Sequence, residues 1–149
     1  MREIFSGTPR PGPIVDPTGK LLGQHPGLHR YTIGQRRGLG LALGTPAWIC
    51  AIEADQARLV VSQNPKDLLV PQLETEATRW ASGLDLAPRQ AARVQIRSQH
   101  DSAPAILKKR DGGRCQVLFD QAQRAVAPGQ AAVFYDESDS HILGGGWIL

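Results

Sequence analysis

Apolar and polar residues alternate in short runs along most of this chain, the period expected of strands with one face turned to a core. Ile14-Val15 and Leu21-Leu22-Gly23 read as two strands joined by a turn at Asp16-Pro17-Thr18-Gly19. Ala47–Glu53 and Arg58–Gln63 alternate as a hairpin, which Asn64-Pro65-Lys66-Asp67 then breaks. Six more candidate strands follow, at Glu74–Trp80, Ala91–Ser98, Ala103–Lys109, Arg114–Asp120, Ala131–Tyr135 and His141–Ile148. Within Ala91–Ser98 the pattern is clear: Val94 and Ile96 face one way, Arg93, Gln95 and Arg97 the other. Six strands at such even spacing predict a small antiparallel β-barrel. One helical signal interrupts the strands. Thr32 with Gln35 three residues on is a capping-box pattern, and Gly38 is a natural stop, so Ile33–Arg37 is expected to form one or two helical turns. The chain therefore reads as mainly β. Residues 1–13 form a Pro/Gly-rich lead-in, 14–71 a small central β-rich domain with a short helix, and 72–149 a six-stranded antiparallel barrel.

Composition supports this outline. In 149 residues there are 16 Gly and 11 Pro, which leaves little room for long helices, while 41% apolar residues suffice for a core. The formal net charge is only +3, so the placement of charge says more than its sum. No carboxylate occurs between Asp16 and Glu53, a stretch holding Lys20, Arg30, Arg36 and Arg37. A second acid-free stretch, Asp85 to Asp101, carries Arg89, Arg93 and Arg97; a third, Asp120 to Asp136, carries Arg124. Cations gathered away from anions point to a polyanionic partner, with a plain solvated basic surface as the alternative. No apolar run approaches the ~20 residues that cross a bilayer, and no signal peptide heads the chain, so a cytoplasmic protein without membrane contact is expected. Cys50 and Cys115 sit in apolar, strand-like runs and read as buried free thiols.

A search for catalytic chemistry yields little. His25 and His29 are four apart, but Pro26-Gly27 forbids the helix that would align them on a metal, and no third ligand is nearby. Neither cysteine has a CxxC partner or an adjacent base. Gly38-Leu39-Gly40-Leu41-Ala42-Leu43-Gly44 has its third glycine misplaced for a phosphate loop and reads as a turn or hinge. Gly144-Gly145-Gly146 reads as a bulge or a close approach of strands. No catalytic or metal-binding residue is assigned. What remains are polar residues in special backbone settings. Gln35, Arg36 and Arg37 lie between two glycines, and Gln130 follows Pro128-Gly129. Arginine suits bidentate phosphate contact and glutamine suits base-edge or ribose contact. The plainer roles are a cap for Gln35 and a self-bonded turn residue for Gln130.

Two long stretches carry a resemblance. Gly12-Pro13-Ile14-Val15-Asp16, Gly19-Lys20, Gly23-Gln24-His25, Gly27-Leu28 and above all Tyr31-Thr32-Ile33-Gly34-Gln35-Arg36-Arg37-Gly38-Leu39-Gly40 are similar to the central domain of tRNA-specific 2-thiouridylases. Arg124–Asp136, with Ala127-Pro128-Gly129-Gln130 at its centre, and Leu143-Gly144-Gly145-Gly146 resemble that family's C-terminal barrel. The resemblance implies an enzyme that uses ATP to adenylate the wobble uridine of certain tRNAs and a persulfide cysteine, fed by a sulfur-relay donor protein, to thiolate it. The family's adenylation loop (Ser-Gly-Gly-x-Asp-Ser) and catalytic cysteines lie upstream of these stretches. Ser6-Gly7-Thr8 does not match that loop, and Cys50 and Cys115 do not correspond to those cysteines. The expectation is therefore a portion inactive by itself, without a cofactor of its own, that holds the anticodon stem-loop region of tRNA. Carried over by position, the family's tRNA contacts in the barrel fall on Arg97, Ser98 and Gln130; Ser98 and Gln99 replace the usual aromatic and basic pair. The competing expectation is a free-standing barrel that binds a protein partner.

Overall fold

A computed structural model describes residues 9–84 and 87–149. These divide into two compact units between Leu68 and Leu69.

The first unit is built on a four-stranded sheet. Its strands are β1 (Gly12–Val15), β2 (Leu21–His25), β3 (Trp48–Glu53) and β4 (Arg58–Ser62), in the order β2-β1-β4-β3. β1 runs antiparallel to β2 and parallel to β4, and β3 is antiparallel to β4. The β1–β2 turn is locked by one side chain: Asp16 Oδ1 accepts from the Thr18 and Lys20 N–H groups and from Thr18 Oγ1. These bonds, the Thr18 hydroxyl foremost, hold the Asp16 carboxyl below its usual pKa. Ile14, Leu28, Leu39, Ala47, Ile49, Leu59 and Val61 form the core.

The sequence expectation of a helix at Ile33–Arg37 is not met. Thr32–Gln35 form a single turn in which the Gln35 N–H bonds to the Thr32 carbonyl and Gly34 takes φ +85°. The side-chain bond that a capping box implies is present, with Gln35 Oε1 accepting the Thr32 N–H at 3.1 Å, but the helix it was expected to start is not. The left-handed Gly34 turns the chain away at once. The strand β3 then captures both neighbours: Gly34 N–H donates to the Ile49 carbonyl, and Ile49 N–H to the Gln35 carbonyl. The helical turns of this unit are short 3₁₀ segments, Leu28–Arg30 and Pro65–Leu68.

The second unit is a closed six-stranded antiparallel barrel. Its strands are β5 (Leu69–Trp80), β6 (Arg89–Gln95), β7 (Ala103–Arg110), β8 (Arg114–Arg124), β9 (Ala131–Tyr135) and β10 (Ile142–Ile148), ordered β10-β5-β8-β7-β6-β9. Alternation fills the interior with Leu73, Val94, Leu107, Val117, Phe134 and Ile148, and Thr75 joins them because its hydroxyl bonds to Thr78 Oγ1 and the Cys115 carbonyl. A Cβ on Gly145 would lie 2.7 Å from the Ala132 carbonyl oxygen, and one on Gly146 2.9 Å from that of Glu76. The glycine run thus lets β10 close the barrel against both neighbours.

Candidate nucleic-acid interface

Arg97, Ser98 and Gln130 belong to the barrel and come from two connections that share one end of it. The sequence reading kept Arg97 and Ser98 in a strand to Ser98. Instead β6 ends at Gln95, and Arg97 sits in the bend beyond it. Ile96 still points inward and is buried, so alternation outlasts the strand by one residue. What takes Arg97 out of the pattern is its guanidinium, which donates Nη2–H to the Ala125 carbonyl just past the end of β8. The His100 N–H then bonds to the Arg97 carbonyl and turns the chain back. Ser98 is exposed at this turn.

Gln130 closes a second turn on the same end. Pro128 and Gly129 occupy its centre with Gly129 at φ +81°, the Gln130 N–H bonds to the Ala127 carbonyl, and the Ile148 N–H donates to the Gln130 carbonyl. The Gln130 backbone is fully used, while its half-buried side-chain amide makes no hydrogen bond among the described residues. β6 and β9 pair antiparallel with Gln95 opposite Val133 and Arg93 opposite Tyr135. That pairing stops at Gln95–Val133, and the connections that carry Arg97, Ser98 and Gln130 lie just beyond it, at the same end of the barrel. The Arg97 bond to Ala125, five residues before Gln130, holds the two connections together from the other side. Sequence reasoning missed Ala125. An alanine at φ +54° with a buried side chain gives no sequence signal of its own.

Gln35, Arg36 and Arg37 lie in the first unit and are arranged differently. Both ends of the Gln35 amide bond to its own loop, Oε1 to the Thr32 N–H and Nε2–H to the Arg37 carbonyl at 2.9 Å. Arg36 and Arg37 are exposed on that braced loop. Arg36 also borders an open cleft of about 440 Å³ whose floor includes Leu39, Leu41, Leu43 and Pro46. Positive φ at Gly38, Gly40 and Gly44 shapes this loop.

The remaining chemistry-bearing residues serve the fold. The buried His25 ring meets the Ala57 carbonyl through Nε2 at 2.8 Å and packs edge-on to Tyr31. Cys115 is fully buried, and burial pushes its thiol up to about 11; burial also raises the Cys50 thiol. Among the described residues no three or more His, Cys, Asp or Glu side chains gather as metal ligands, and no helix is long and apolar enough to cross a membrane.

Comparison with known proteins fits this geometry. Residues 6–63 match the model of a tRNA methyl transferase PRC-barrel domain, and residues 70–148 that of an aminomethyltransferase beta-barrel domain. The tRNA-specific 2-thiouridylase MnmA of Paramagnetospirillum magneticum is 48% identical over 148 residues, covering 99% of this chain and 38% of that protein. The enzymes of the same name from Syntrophotalea carbinolica and Maricaulis maris are 45% and 41% identical, covering 92% and 99% of this chain and 38% and 36% of their own lengths. The chain thus spans a little over a third of these relatives. On both of its units, it belongs to the tRNA-specific 2-thiouridylase family.

Proposed function

We propose that this chain is the tRNA-holding portion of a 2-thiouridylase that thiolates the wobble uridine, with the barrel gripping the anticodon stem-loop region. The observation that carries this reading is the convergence of Arg97, Ser98 and Gln130 on one end of the barrel, fixed by the Arg97–Ala125 bond. An arginine has five N–H donors, so one bond to a carbonyl orients the guanidinium and leaves its other donors for a phosphate. Ser98 adds an exposed hydroxyl and Gln130 an unengaged amide, suited to ribose or base edges. Arg36 and Arg37 present further cations from a separately braced loop. ATP-dependent adenylation and sulfur delivery, with a relay donor protein, belong in this reading to the part of the relatives that this chain does not span, and the whole acts in the cytoplasm.

Titrating labelled tRNA against variants at several salt concentrations tests the proposal. Arg97→Ala is expected to weaken binding and to lower the salt slope by about one unit. Gln130→Ala is expected to weaken it at unchanged slope, because a neutral amide displaces no counterion. Unchanged affinity in both folded variants contradicts the reading. One observation favours the rival class, a barrel that docks a protein: Trp147 is 53% exposed on β10, beside the small Ala131. A protein ligand that competes away Trp147 solvent exposure without displacing tRNA would establish that second surface.

A further inference from the structure

The three arginines of the second acid-free stretch have different fates. Arg93 donates to the hydroxyl and carbonyl of Ser102 and lies 3.8 Å from Asp139, and Arg97 is held by Ala125. Arg89 has no such partner among the described residues. It is exposed at the start of β6, six residues before Gln95, and so about 20 Å along the strand from the end that carries Arg97. The barrel register shows what surrounds it. Arg89 pairs with Lys108 of β7, and Arg110 at the end of β7 pairs with Arg114 at the start of β8. Val94 and Leu107 are buried, so alternation turns Arg89, Lys108, Arg110 and Arg114 outward onto one face. Two like-charge pairs stand directly opposite each other in neighbouring rows.

Directly opposed like charges destabilise a sheet unless something of opposite sign lies over them. The protein offsets only part of this charge. Glu74, opposite Gln116, Glu76, which the same register sets opposite Arg114, and Asp111, in the connecting turn, are the nearest carboxylates, and no ion pair to these four cations forms among the described residues; the Arg89–Lys108 pair has no carboxylate opposite it. Arg110 donates instead to Gln116 Oε1 at 2.6 Å, and Gln116 passes a bond to Gln72, a chain of neutral amides that orients a guanidinium without neutralising it. The turn between β7 and β8 carries Gly112 and Gly113, so its tip has no side chains to hold a large anion away.

We infer that Arg89, Lys108, Arg110 and Arg114 form a second phosphate-binding surface, which takes the sugar-phosphate backbone of RNA at the opposite end of β6 from Arg97. This rests on the tRNA-holding reading above and extends it from one end of the barrel to two. An extended polyanion is the occupant that spans such a distance, whereas a small anion would satisfy only one cation pair. The contact is to phosphate and so carries no base preference.

The test is binding of labelled tRNA by the chain with Arg89→Gln, Lys108→Gln and Arg114→Gln combined, with Arg110 left in place because it braces Gln116. Each phosphate contact contributes about 0.9 to the salt slope, so the triple variant is expected to lose between two and three units. Its thermal stability should stay equal or rise, because the opposed charges are relieved. Arg89→Lys with Arg114→Lys keeps the charge and should keep the slope. If the triple variant unfolds, Lys108→Gln and Arg114→Gln singly, at about one unit each, carry the test. An unchanged slope in folded variants, while Arg97→Ala still weakens binding, overturns the second surface alone. Failure of the unaltered chain to bind tRNA overturns both readings. Loss of binding to phosphatidylserine vesicles with RNA binding intact would assign the surface to a membrane and overturn it as stated.

Discussion

The two units of this chain are held together by different means. The barrel is regular: six strands close on themselves, and its interior is a run of alternating side chains centred on Phe134, Val117 and Leu107. The first unit has a smaller core and relies on backbone placed very close to backbone. A Cβ on Gly12 would lie 1.8 Å from the Ala57 carbonyl oxygen, and residues 31–47 are an irregular loop pinned by the Gln35 amide and by Ile49. Stability spread over many buried side chains is vulnerable to removing atoms. Stability that rests on close approach is vulnerable to adding them. The contrast extends to the candidate contacts: Arg97 is clamped to a barrel carbonyl, while Arg36 and Arg37 stand exposed on a braced loop.

The sharpest way to break this contrast is to exchange the insults. Phe134→Ala should cost the barrel about 3–5 kcal/mol in denaturant unfolding. Gly12→Ala, a single added methyl, should cost the first unit about 1–3 kcal/mol or more, since the obstacle is backbone that cannot step aside. A harmless Gly12→Ala removes the basis of the comparison. Next in size, Gln35→Ala should lower stability by about 1 kcal/mol and loosen the loop that presents Arg36 and Arg37, because both of its amide bonds serve that loop. A selective fall in proteolytic resistance at residues 36–44 checks this. Unchanged resistance would leave the bracing role without support.

The smallest effect concerns the thiols. The folded Cys115 thiol sits at about 11 against an ordinary 9.0, so its contribution is complete below pH 9 and lost as pH rises through 11. The mild alkaline loss of stability should therefore fall in that window and be reduced in Cys115→Ala. Alkylation at pH 8 should be slow for Cys115, which is fully buried, and faster for half-buried Cys50. Rapid labelling of Cys115 in the folded chain would contradict its burial.

Much of the barrel was legible because period-two alternation is a local signal, and every expected barrel strand is present with ends shifted by a few residues. β5 begins at Leu69 rather than Glu74, since Val70 and Pro71 carry no alternation that announces pairing with β8. The helix at Ile33–Arg37 was misread because a capping pair fixes only one bond. The positive φ of Gly34 and the capture of its N–H by Ile49, fifteen residues on, decide the conformation. The candidate contacts were legible as residue types but not as an arrangement. Nothing local in Arg97 names Ala125 as its acceptor, which depends on how two connections meet at one end of the barrel, and nothing in Arg89 names Lys108 as its neighbour, which depends on strand register.

The central claim is that this portion holds RNA through cations displayed on a rigid scaffold. Its most direct test is the affinity of the unaltered chain for tRNA between about 50 and 200 mM salt. The expected result is a linear fall of log affinity with log salt, with a slope of several units and roughly 0.9 per phosphate contacted. An affinity that stays flat across that range, or no binding at the low-salt end, would contradict it.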